Sequence, residues 1–247
     1  MFKRAVLKLS GEALSNTGGS FGAIGEAVVA DIVRQVVNAM ASGTQIAIVV
    51  GGGNFWRGRQ ALPQMDRVAA DQIGMLATVM NAIYLRDAFE RQGAAARVTT
   101  PVPFGRFTEL FEYKTALGFM RENVAVINAA GLGHPFFSTD TVAAVRAAEL
   151  SADCVLYAKN VDGVYDRDPA KHEDAKKYRT VSYKRAISDS LNAADMAALH
   201  ISREAGIPSY VFGLREPDGI VRACSFPDTG GLEGTYLNNG IEEAFYG

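Results

Sequence analysis

A run of apolar residues with no polar one among them, residues 46–50, constrains the fold more than any other feature of this sequence. A strand with one face in water alternates polar and apolar residues, whereas a parallel strand covered on both faces reads as a continuous apolar run. Residues 26–41 precede it with apolar residues at helical spacing, and Gly43 is placed to end that helix. The pattern therefore predicts a helix followed by a buried parallel strand.

The same alternation of strand and helix continues along the chain. Further strands are predicted at residues 5–9, 96–99, 124–128, 154–158 and 209–212. Further helices are predicted at residues 68–91, 139–149 and 193–205. Alternating elements of this kind predict an α/β fold, a three-layer sandwich with a mainly parallel central sheet and helices on both faces. No break in composition marks a boundary, so we expect a single domain over residues 1–247.

Charge and hydropathy indicate which partners to expect. A net charge of −2 and an isoelectric point near 6.0 provide no basic field for binding nucleic acid. No uninterrupted apolar run reaches the 18 residues of a membrane span, and the first residues lack the pattern of a signal peptide. Cys154 and Cys224 are expected as reduced, buried thiols. We therefore expect a cytoplasmic protein that binds neither nucleic acid nor membrane.

Polar loops that contain glycine follow the predicted strands. Open α/β sheets bind ligands at the carboxyl ends of their strands, so these loops should face one crevice. They lie at residues 10–12, 51–54, 129–133 and 160–163.

The sequence has no phosphate-loop signature G-x-x-x-x-G-K-[ST], no G-x-G-x-x-G, no paired C-x-x-C and no H-E-x-x-H. Residues 18–22 match G-x-S-x-G, but loop on both sides argues against a nucleophile elbow.

Three features suit a phosphate group. Residues 51–53 are all glycine, which lets backbone N–H groups approach an anion closely. Arg57 follows, and its planar guanidinium can grip two phosphate oxygens. Lys8, near the end of the first strand, could offset charge on a transferring phosphoryl group. Each feature also has an ordinary interpretation, namely a tight turn, a surface arginine, and a lysine that is solvated at a sheet edge or extends its ammonium to solvent along an apolar stem.

The start of the helix at residues 139–149 is equally open to two interpretations. Ser138 or Thr139 could cap this helix, with Asp140 in its first turn. A helix N-terminus also attracts phosphate, and an acidic residue there would orient a lysine or a metal ion. Asp162 and Asp168 have ordinary turn interpretations.

In their order, these segments resemble the amino acid kinase family, and within it the members that phosphorylate UMP. The resemblance covers nearly the whole chain. It rests on residues 7–12, 21–22, 51–58, 71–81, 135–140 and 161–165, on Asp168-Pro169, on Asp195 and on Gly234-Thr235. Each motif is modestly specific, whereas the ordered set is highly specific.

The resemblance implies an acceptor side at about residues 1–152 and an ATP side at about residues 153–247. The implied ATP-binding residues are Lys8, Leu9, Ser10, Gly11, Gly53, Arg57, Lys159, Asn160, Tyr165 and Asp168. The implied UMP-binding residues are Gly52, Arg57, Asp71, Leu132, Gly133, His134, Pro135, Phe136, Phe137, Ser138 and Thr139. Among the latter, Asp71 corresponds to the family's acidic residue on the ribose.

The implied reaction is direct in-line transfer from ATP to UMP, without a covalent enzyme intermediate, in pyrimidine nucleotide biosynthesis. Lys8 and Mg²⁺ would offset charge, Asp140 would orient the cationic groups, and Asp195 is a plausible catalytic partner. The Mg²⁺ ion would be held mainly through nucleotide phosphates, with no metal site made by the protein. The resemblance further implies a homohexamer that responds to GTP and UTP.

Two other functions stay open from the sequence. One is a sibling kinase acting on an amino acid or carbamate, against which Asp71 and residues 135–140 argue. The other is a non-catalytic relative that binds a nucleotide or oxyanion, against which Lys8, Asp140 and Asp195 argue. The apolar helix at residues 68–91 could form a subunit interface or pack internally.

Overall fold

The computed structural model describes residues 1–15, 24–56 and 64–246, and its centre is a sheet in which ten described strands join. The strands are β1 Arg4–Leu9, β2 Gln45–Val50, β3 Ala96–Thr100, β4 Glu109–Leu110, β5 Ala125–Asn128, β6 Cys154–Lys159, β7 Tyr178–Ser182, β8 Ser209–Gly213, β9 Thr235–Asn238 and β10 Ala244–Phe245. The described helices are α1 Glu26–Ala41, α2 Arg67–Arg91, α3 Tyr113–Arg121, α4 Thr139–Glu149, α5 Tyr183–Ser188, α6 Met196–Ala205 and α7 Gly219–Cys224. A short 3₁₀ turn, Gly11–Leu14, follows β1.

The strands are arranged in the order β10-β7-β9-β8-β6-β1-β2-β5-β3-β4. Every neighbouring pair from β8 to β4 is parallel. The β9 strand runs antiparallel to β8, and β10 runs antiparallel to β7. The prediction of a mainly parallel sheet is therefore confirmed, and it places β1 and β6 side by side near the middle.

Helices cover both faces of this sheet. The α1, α2 and α7 helices pack over one face, and α3, α4, α5 and α6 pack over the other. In β1, Leu7 and Leu9 belong to the first core and Val6 to the second. Because successive side chains of a strand point to opposite faces, Lys8 shares the face of Val6 and α4. A lysine at the carboxyl end of a central strand is thereby aimed at the start of α4.

Side-chain caps determine where several helices begin. Asp66 accepts a hydrogen bond from the Ala69 N–H (3.0 Å) at the start of α2. Asp195 accepts one from the Ala198 N–H (2.9 Å), so α6 begins at Met196 and not at residue 193 as predicted. Gly206, with φ of 67°, ends α6 in the left-handed conformation.

Among the described residues, the α2 helix is long and apolar enough to cross a membrane by length and composition alone, although polar residues interrupt its apolar runs. Its inner face carries the fully buried side chains of Leu85 and Phe89. These two side chains belong to the core under α1 and the sheet.

Both cysteines are free and buried, as predicted. Burial raises the pKa of the Cys224 thiol to about 12, and burial also raises the pKa of Cys154. Neither thiol is therefore ionised near neutral pH.

Candidate functional site

Two lysines and one aspartate form a buried cluster at the carboxyl ends of β1 and β6. Lys8 Nζ lies 2.7 Å from Asp140 Oδ1, and Lys159 Nζ lies 3.6 Å from Asp140 Oδ2. Lys8 is only 8% exposed, so the interpretation of it as a solvated edge lysine is wrong. The two lysines come from neighbouring strands, and Asp140 lies in the first turn of α4. The cluster thus presents two cations held by one carboxylate.

The pKa values in this cluster follow from burial and charge. Burial favours the neutral form of Asp140, but the adjacent Lys8 and Lys159 ammonium groups outweigh it and lower the carboxyl pKa. Burial lowers the pKa of Lys159, and the Lys8 charge lowers it further, whereas Asp140 opposes the shift. Asp140 is therefore ionised at neutral pH and is the group that lets two ammonium groups share this space.

Asp195 holds the N-terminal ends of α4 and α6 together. Its carboxylate accepts hydrogen bonds from the Ser138 hydroxyl, from the Thr141 N–H (3.0 Å) and from the Thr141 hydroxyl (2.8 Å), besides capping α6. Ser138 in turn caps α4 through the Asp140 N–H (3.1 Å), as one interpretation of the sequence had it. The geometry of Asp195 therefore fixes the turn that carries Asp140.

The glycine loop after β2 packs directly against the chain after β1. A Cβ atom on Gly11 would lie 2.3 Å from the Gly53 nitrogen, and one on Gly52 would lie 2.8 Å from Ala77 Cβ. No side chain fits at either position, so glycine at position 11 lets the two loops approach each other, and glycine at position 52 lets the loop after β2 approach α2.

A pair of buried amides anchors the glycine loop. The Asn81 amide nitrogen donates to the Gly51 carbonyl (2.7 Å) and to Asn54 Oδ1 (2.8 Å), and the Asn54 amide nitrogen donates back to Asn81 Oδ1 (3.0 Å). Asn54 and Asn81 lie within the motifs quoted from the sequence, but no role was assigned to them. Their reciprocal bonding fixes the loop to α2.

A cleft of about 210 Å³, here called the acceptor-side cleft, opens beside this loop. It is lined by Gly52, Gly53, Trp56, Arg67, Ala70, Asp71, Gly74, Met75, Thr78, Gly131, His134, Phe137 and Thr139. The structure therefore brings together Gly52, Asp71, His134, Phe137 and Thr139 of the predicted acceptor residues. Arg57 lies outside the described residues.

Asp71 and the loop after β5 meet at one end of this cleft. The Asp71 carboxylate accepts hydrogen bonds from Arg67 Nε (2.9 Å) and from the Phe136 N–H (2.8 Å). The Arg67 guanidinium lies 5.1 Å from the centre of the Phe136 ring, and Phe136 has φ of 72°. Arg67 was not predicted, although its spacing of four residues from Asp71 on one helix is the signal for such a pair.

The rest of that loop is held by backbone conformation and by one hydroxyl. Gly131 and Gly133 have positive φ, and the Thr78 hydroxyl accepts from the Ala130 N–H (2.6 Å). Leu132 is half-buried against the core under α4, and Pro135 lies between His134 and Phe136 in the loop. The predicted acceptor loop is thus tied to α2 at Thr78 and at Asp71.

A second cleft of about 430 Å³, here called the donor-side cleft, includes Lys159 of the cluster in its lining. It is lined by Lys159, Val161, Gly163, Tyr165, Asp166, Arg167, Asp168, Pro169, Ala170, Asp189, Ser190, Leu191 and Asn192. Lys159, Tyr165 and Asp168 of the predicted ATP-binding residues therefore share one cleft. Asn160 lines a neighbouring cleft with Glu12, and Leu9, Ser10 and Gly11 lie at the end of β1.

The chain segments that carry the lysine cluster also contribute to both clefts. Lys159 lines the donor-side cleft, while Thr139, which lines the acceptor-side cleft, is the chain neighbour of Asp140. The cluster therefore contributes Lys159 to the donor-side cleft, and the residue before Asp140 to the acceptor-side cleft.

This chain is similar to known proteins over most of its length. The sequence pattern of the Amino acid kinase family matches residues 3–213. A UMP kinase from Bacillus anthracis is 32% identical with a TM-score of 0.92, the match covering 100% of this chain and 99% of that chain. A UMP kinase from Ureaplasma parvum is 31% identical with a TM-score of 0.88, covering 96% and 98%. A uridylate kinase from Archaeoglobus fulgidus is 25% identical with a TM-score of 0.69, covering 94% and 99%.

Proposed function

This chain belongs to the amino acid kinase family, and from that premise we propose that it transfers the γ-phosphoryl group of ATP to UMP, yielding ADP and UDP. Two relatives that match it along almost their whole length are UMP kinases. The observation that carries the proposal is the buried Lys8–Asp140–Lys159 cluster, in which Lys159 lines one cleft, while Thr139, next to Asp140 in the chain, lines the other.

The cluster suits direct in-line transfer. A phosphate oxygen of UMP attacks the γ-phosphorus, and the bond from that phosphorus to the β–γ bridging oxygen breaks, so that ADP leaves. Lys8 and Lys159 offset the charge on the phosphoryl oxygens, and Asp140 holds both ammonium groups in place. Asp195 supports the reaction through the turn that carries Asp140.

The acceptor-side cleft supports recognition of UMP at both of its ends. Asp71 offers carboxylate oxygens to the ribose hydroxyls, and a site built for hydroxyls rejects an analogue that lacks one. The backbone of Gly52 and Gly53, with Arg57 from the sequence, is proposed to hold phosphate. At the donor side, Tyr165 and Asp168 are proposed to contact ATP.

The proposal includes a Mg²⁺ ion that arrives with ATP. Among the residues that the structure describes, no group of three His, Cys, Asp or Glu side chains could hold a metal ion. Both Asp140 oxygens face ammonium groups, which fits an ion bound chiefly by phosphates and water. When bound, Mg²⁺ would neutralise charge on the β- and γ-phosphates.

The proposal extends to a cytoplasmic homohexamer that responds to GTP and UTP, as the family resemblance implies. Leu76 and Met80 on the outer face of α2 are about half exposed, at 51% and 48%. Large apolar side chains at helical spacing on one face support contact between subunits.

A coupled assay of ADP formation with ATP and a panel of acceptors tests the proposed function. UMP should give the highest kcat/KM, and CMP, dUMP, carbamate and acidic amino acids should give much lower values. Turnover of an amino acid or carbamate without turnover of UMP would instead support the sibling kinase. Binding of ATP without turnover of any acceptor would support the non-catalytic relative.

A further inference from the structure

A third lysine, Lys177, lies beneath the loop that lines the donor-side cleft. Its side chain is 11% exposed, and its ammonium lies 2.9 Å from Asp162 Oδ2 and 3.4 Å from Glu233 Oε2. The ring of Tyr246 lies 4.7 Å from the ammonium nitrogen. Lys177 is therefore enclosed by two carboxylates and one aromatic face.

Asp162 links Lys177 to a residue that lines the donor-side cleft. Its Oδ1 accepts a hydrogen bond from the Tyr165 hydroxyl (2.8 Å), and Tyr165 lines the donor-side cleft. Lys177 and Tyr165 are also paired through an antiparallel backbone bridge. The side chains of Lys177, Asp162 and Tyr165 thus form a continuous hydrogen-bonded chain from the interior to the wall of the cleft.

The backbone at Gly163, in the loop that lines the donor-side cleft, packs closely against the Lys177 side chain. A Cβ atom on Gly163 would lie 3.0 Å from Lys177 Cδ and 2.8 Å from the Thr235 hydroxyl oxygen. Burial by itself lowers the Lys177 pKa, but the hydrogen bond and charge of Asp162 outweigh it and raise that pKa. The pKa of Asp162 is lowered, because the hydrogen bonds from Lys177 and Tyr165 outweigh its partial burial. Both groups are charged at neutral pH.

We propose that Lys177 is a positioning residue for the donor nucleotide. It fixes Asp162, and through Asp162 it fixes the Tyr165 ring at the wall of the cleft, so that ATP meets a loop already ordered for binding. Ordering a loop before binding removes an entropy cost that the ligand would otherwise bear. The inference rests on the proposed function, because it assumes that the donor-side cleft takes ATP.

The test compares wild-type protein with Lys177→Met, Lys177→Arg and Tyr165→Phe, with Lys176→Met as the matched control. Lys176 is the exposed neighbour of Lys177, and its contact with Asp166 Oδ1 is made by its backbone N–H, which the substitution keeps. KM for ATP, KM for UMP and kcat are measured with folded protein, and binding of a non-hydrolysable ATP analogue is measured by calorimetry.

Lys177→Met should raise KM for ATP and weaken analogue binding roughly tenfold, as expected for loss of one charged hydrogen bond. KM for UMP should stay within about twofold of the wild-type value, since the acceptor-side cleft lies elsewhere. Lys177→Arg, which keeps the charge, should recover most of the ATP affinity. Tyr165→Phe should weaken ATP binding severalfold by releasing the ring from Asp162, and Lys176→Met should behave as wild type.

Unchanged ATP binding in both Lys177→Met and Tyr165→Phe would overturn the proposal. So would equal rises in KM for ATP and for UMP, which indicate general destabilisation. If Lys177→Met does not fold, Tyr165→Phe decides the matter, and unchanged analogue binding in that variant overturns the proposal. Calorimetry needs no turnover, so a wild-type protein that binds the analogue but leaves UMP unphosphorylated would count against the proposed function and still test Lys177.

Discussion

Lys8 shows how one strand position is brought to a buried charged cluster. Its neighbours Leu7 and Leu9 belong to one core, and the alternation of the strand turns Lys8 toward the other face, where Asp140 lies. The sequence predicted a lysine at a strand end, but it could not tell a central strand from an edge strand. That distinction depends on the pairing of β1 with β2 and β6, which are far away in sequence.

Separate substitutions of Lys8 and Asp71 should distinguish an effect on the phosphoryl-transfer step from an effect on UMP binding. Lys8→Ala should lower kcat by roughly 10²- to 10³-fold, the usual effect of removing one charge-stabilising group, with little change in UMP affinity. Asp71→Asn should weaken UMP binding about tenfold with a smaller effect on kcat. Trp56, the one tryptophan in the sequence, lines the acceptor-side cleft, so quenching of its fluorescence measures UMP binding directly.

Each variant is the control for the other in this comparison. A near-normal kcat in Lys8→Ala would remove Lys8 from the chemistry. Unchanged UMP affinity in Asp71→Asn would count against its contact with the ribose.

The lowered pKa of Asp140 predicts how stability depends on pH. A carboxyl group with a lowered folded-state pKa contributes stability that is fully present above its unfolded pKa, roughly 3.9. That contribution disappears as the pH falls through the folded-state pKa. The difference in unfolding free energy between wild type and Asp140→Asn should therefore be constant from pH 7 to about 5 and shrink below about 4.

Urea unfolding at a series of pH values measures this difference. If the difference between the two proteins already declined between pH 7 and 5, the pKa of Asp140 would be raised instead of lowered.

Among the elements, long periodic segments were predictable and short ones were not. The α1 and α4 helices begin and end at the predicted residues. The two-residue strands β4 and β10 have too few residues to show a period, and β7 and β9 are defined by pairing between distant segments. The α3, α5 and α7 helices were also missed, although Glu112, whose carboxylate accepts from the Lys114 and Thr115 N–H groups, caps α3.

The residues of the candidate site also fall into two groups, those that could be predicted from the sequence and those that could not. The lysine cluster and much of the acceptor loop came from the family resemblance, whereas Arg67, Asn81 and Lys177 did not. These three residues act on other protein groups, and such contacts depend on the packing of α2 and β7 against loops that are remote in sequence. Residues that support a site therefore need the structure to identify them.

Substitution of Gly11 tests the close packing of the two loops. Gly11→Ala places a methyl group 2.3 Å from the Gly53 nitrogen, so one loop must move. We expect a loss of roughly 1–3 kcal/mol in unfolding free energy, as for other overpacked sites, together with a lower kcat. Thermal or urea unfolding and the coupled assay measure the two effects.

Gly118→Ala is the matched control for this substitution. Gly118 lies in α3 with nothing within 4 Å of the added methyl group, so alanine there should leave the protein as stable or stabilise it slightly. Wild-type stability and activity in Gly11→Ala would show that the loops are not held as closely as the structure has them.

In the molecule as a whole, the strands of one sheet and the segments that follow them supply both clefts and the lysine cluster. The acceptor-side cleft is built from the β2, β5 and α2 regions, and the donor-side cleft from residues after β6 and around α5. The order of elements predicted this sheet, because parallel strands bring their following loops to one edge. It did not predict the antiparallel strands β9 and β10 at the far side.

The arrangement predicts that both substrates must be bound at the same time. Initial rates measured over a grid of ATP and UMP concentrations should give intersecting double-reciprocal lines, because no covalent enzyme intermediate separates the two half-reactions. Parallel lines would contradict direct transfer. Exchange of label between ATP and ADP without UMP would contradict it as well.

The two lysines of the cluster stand on β1 and β6, which are neighbours with a further parallel strand on each outer side. Amide hydrogens in such fully paired strands exchange with solvent only when much of the protein opens. The loops at residues 51–56, 129–138 and 160–168 have no such protection from a ladder on both sides. Nucleotides should therefore slow deuterium uptake mainly in those loops, whereas exchange in the strands that carry Lys8 and Lys159 should report the opening of the protein as a whole.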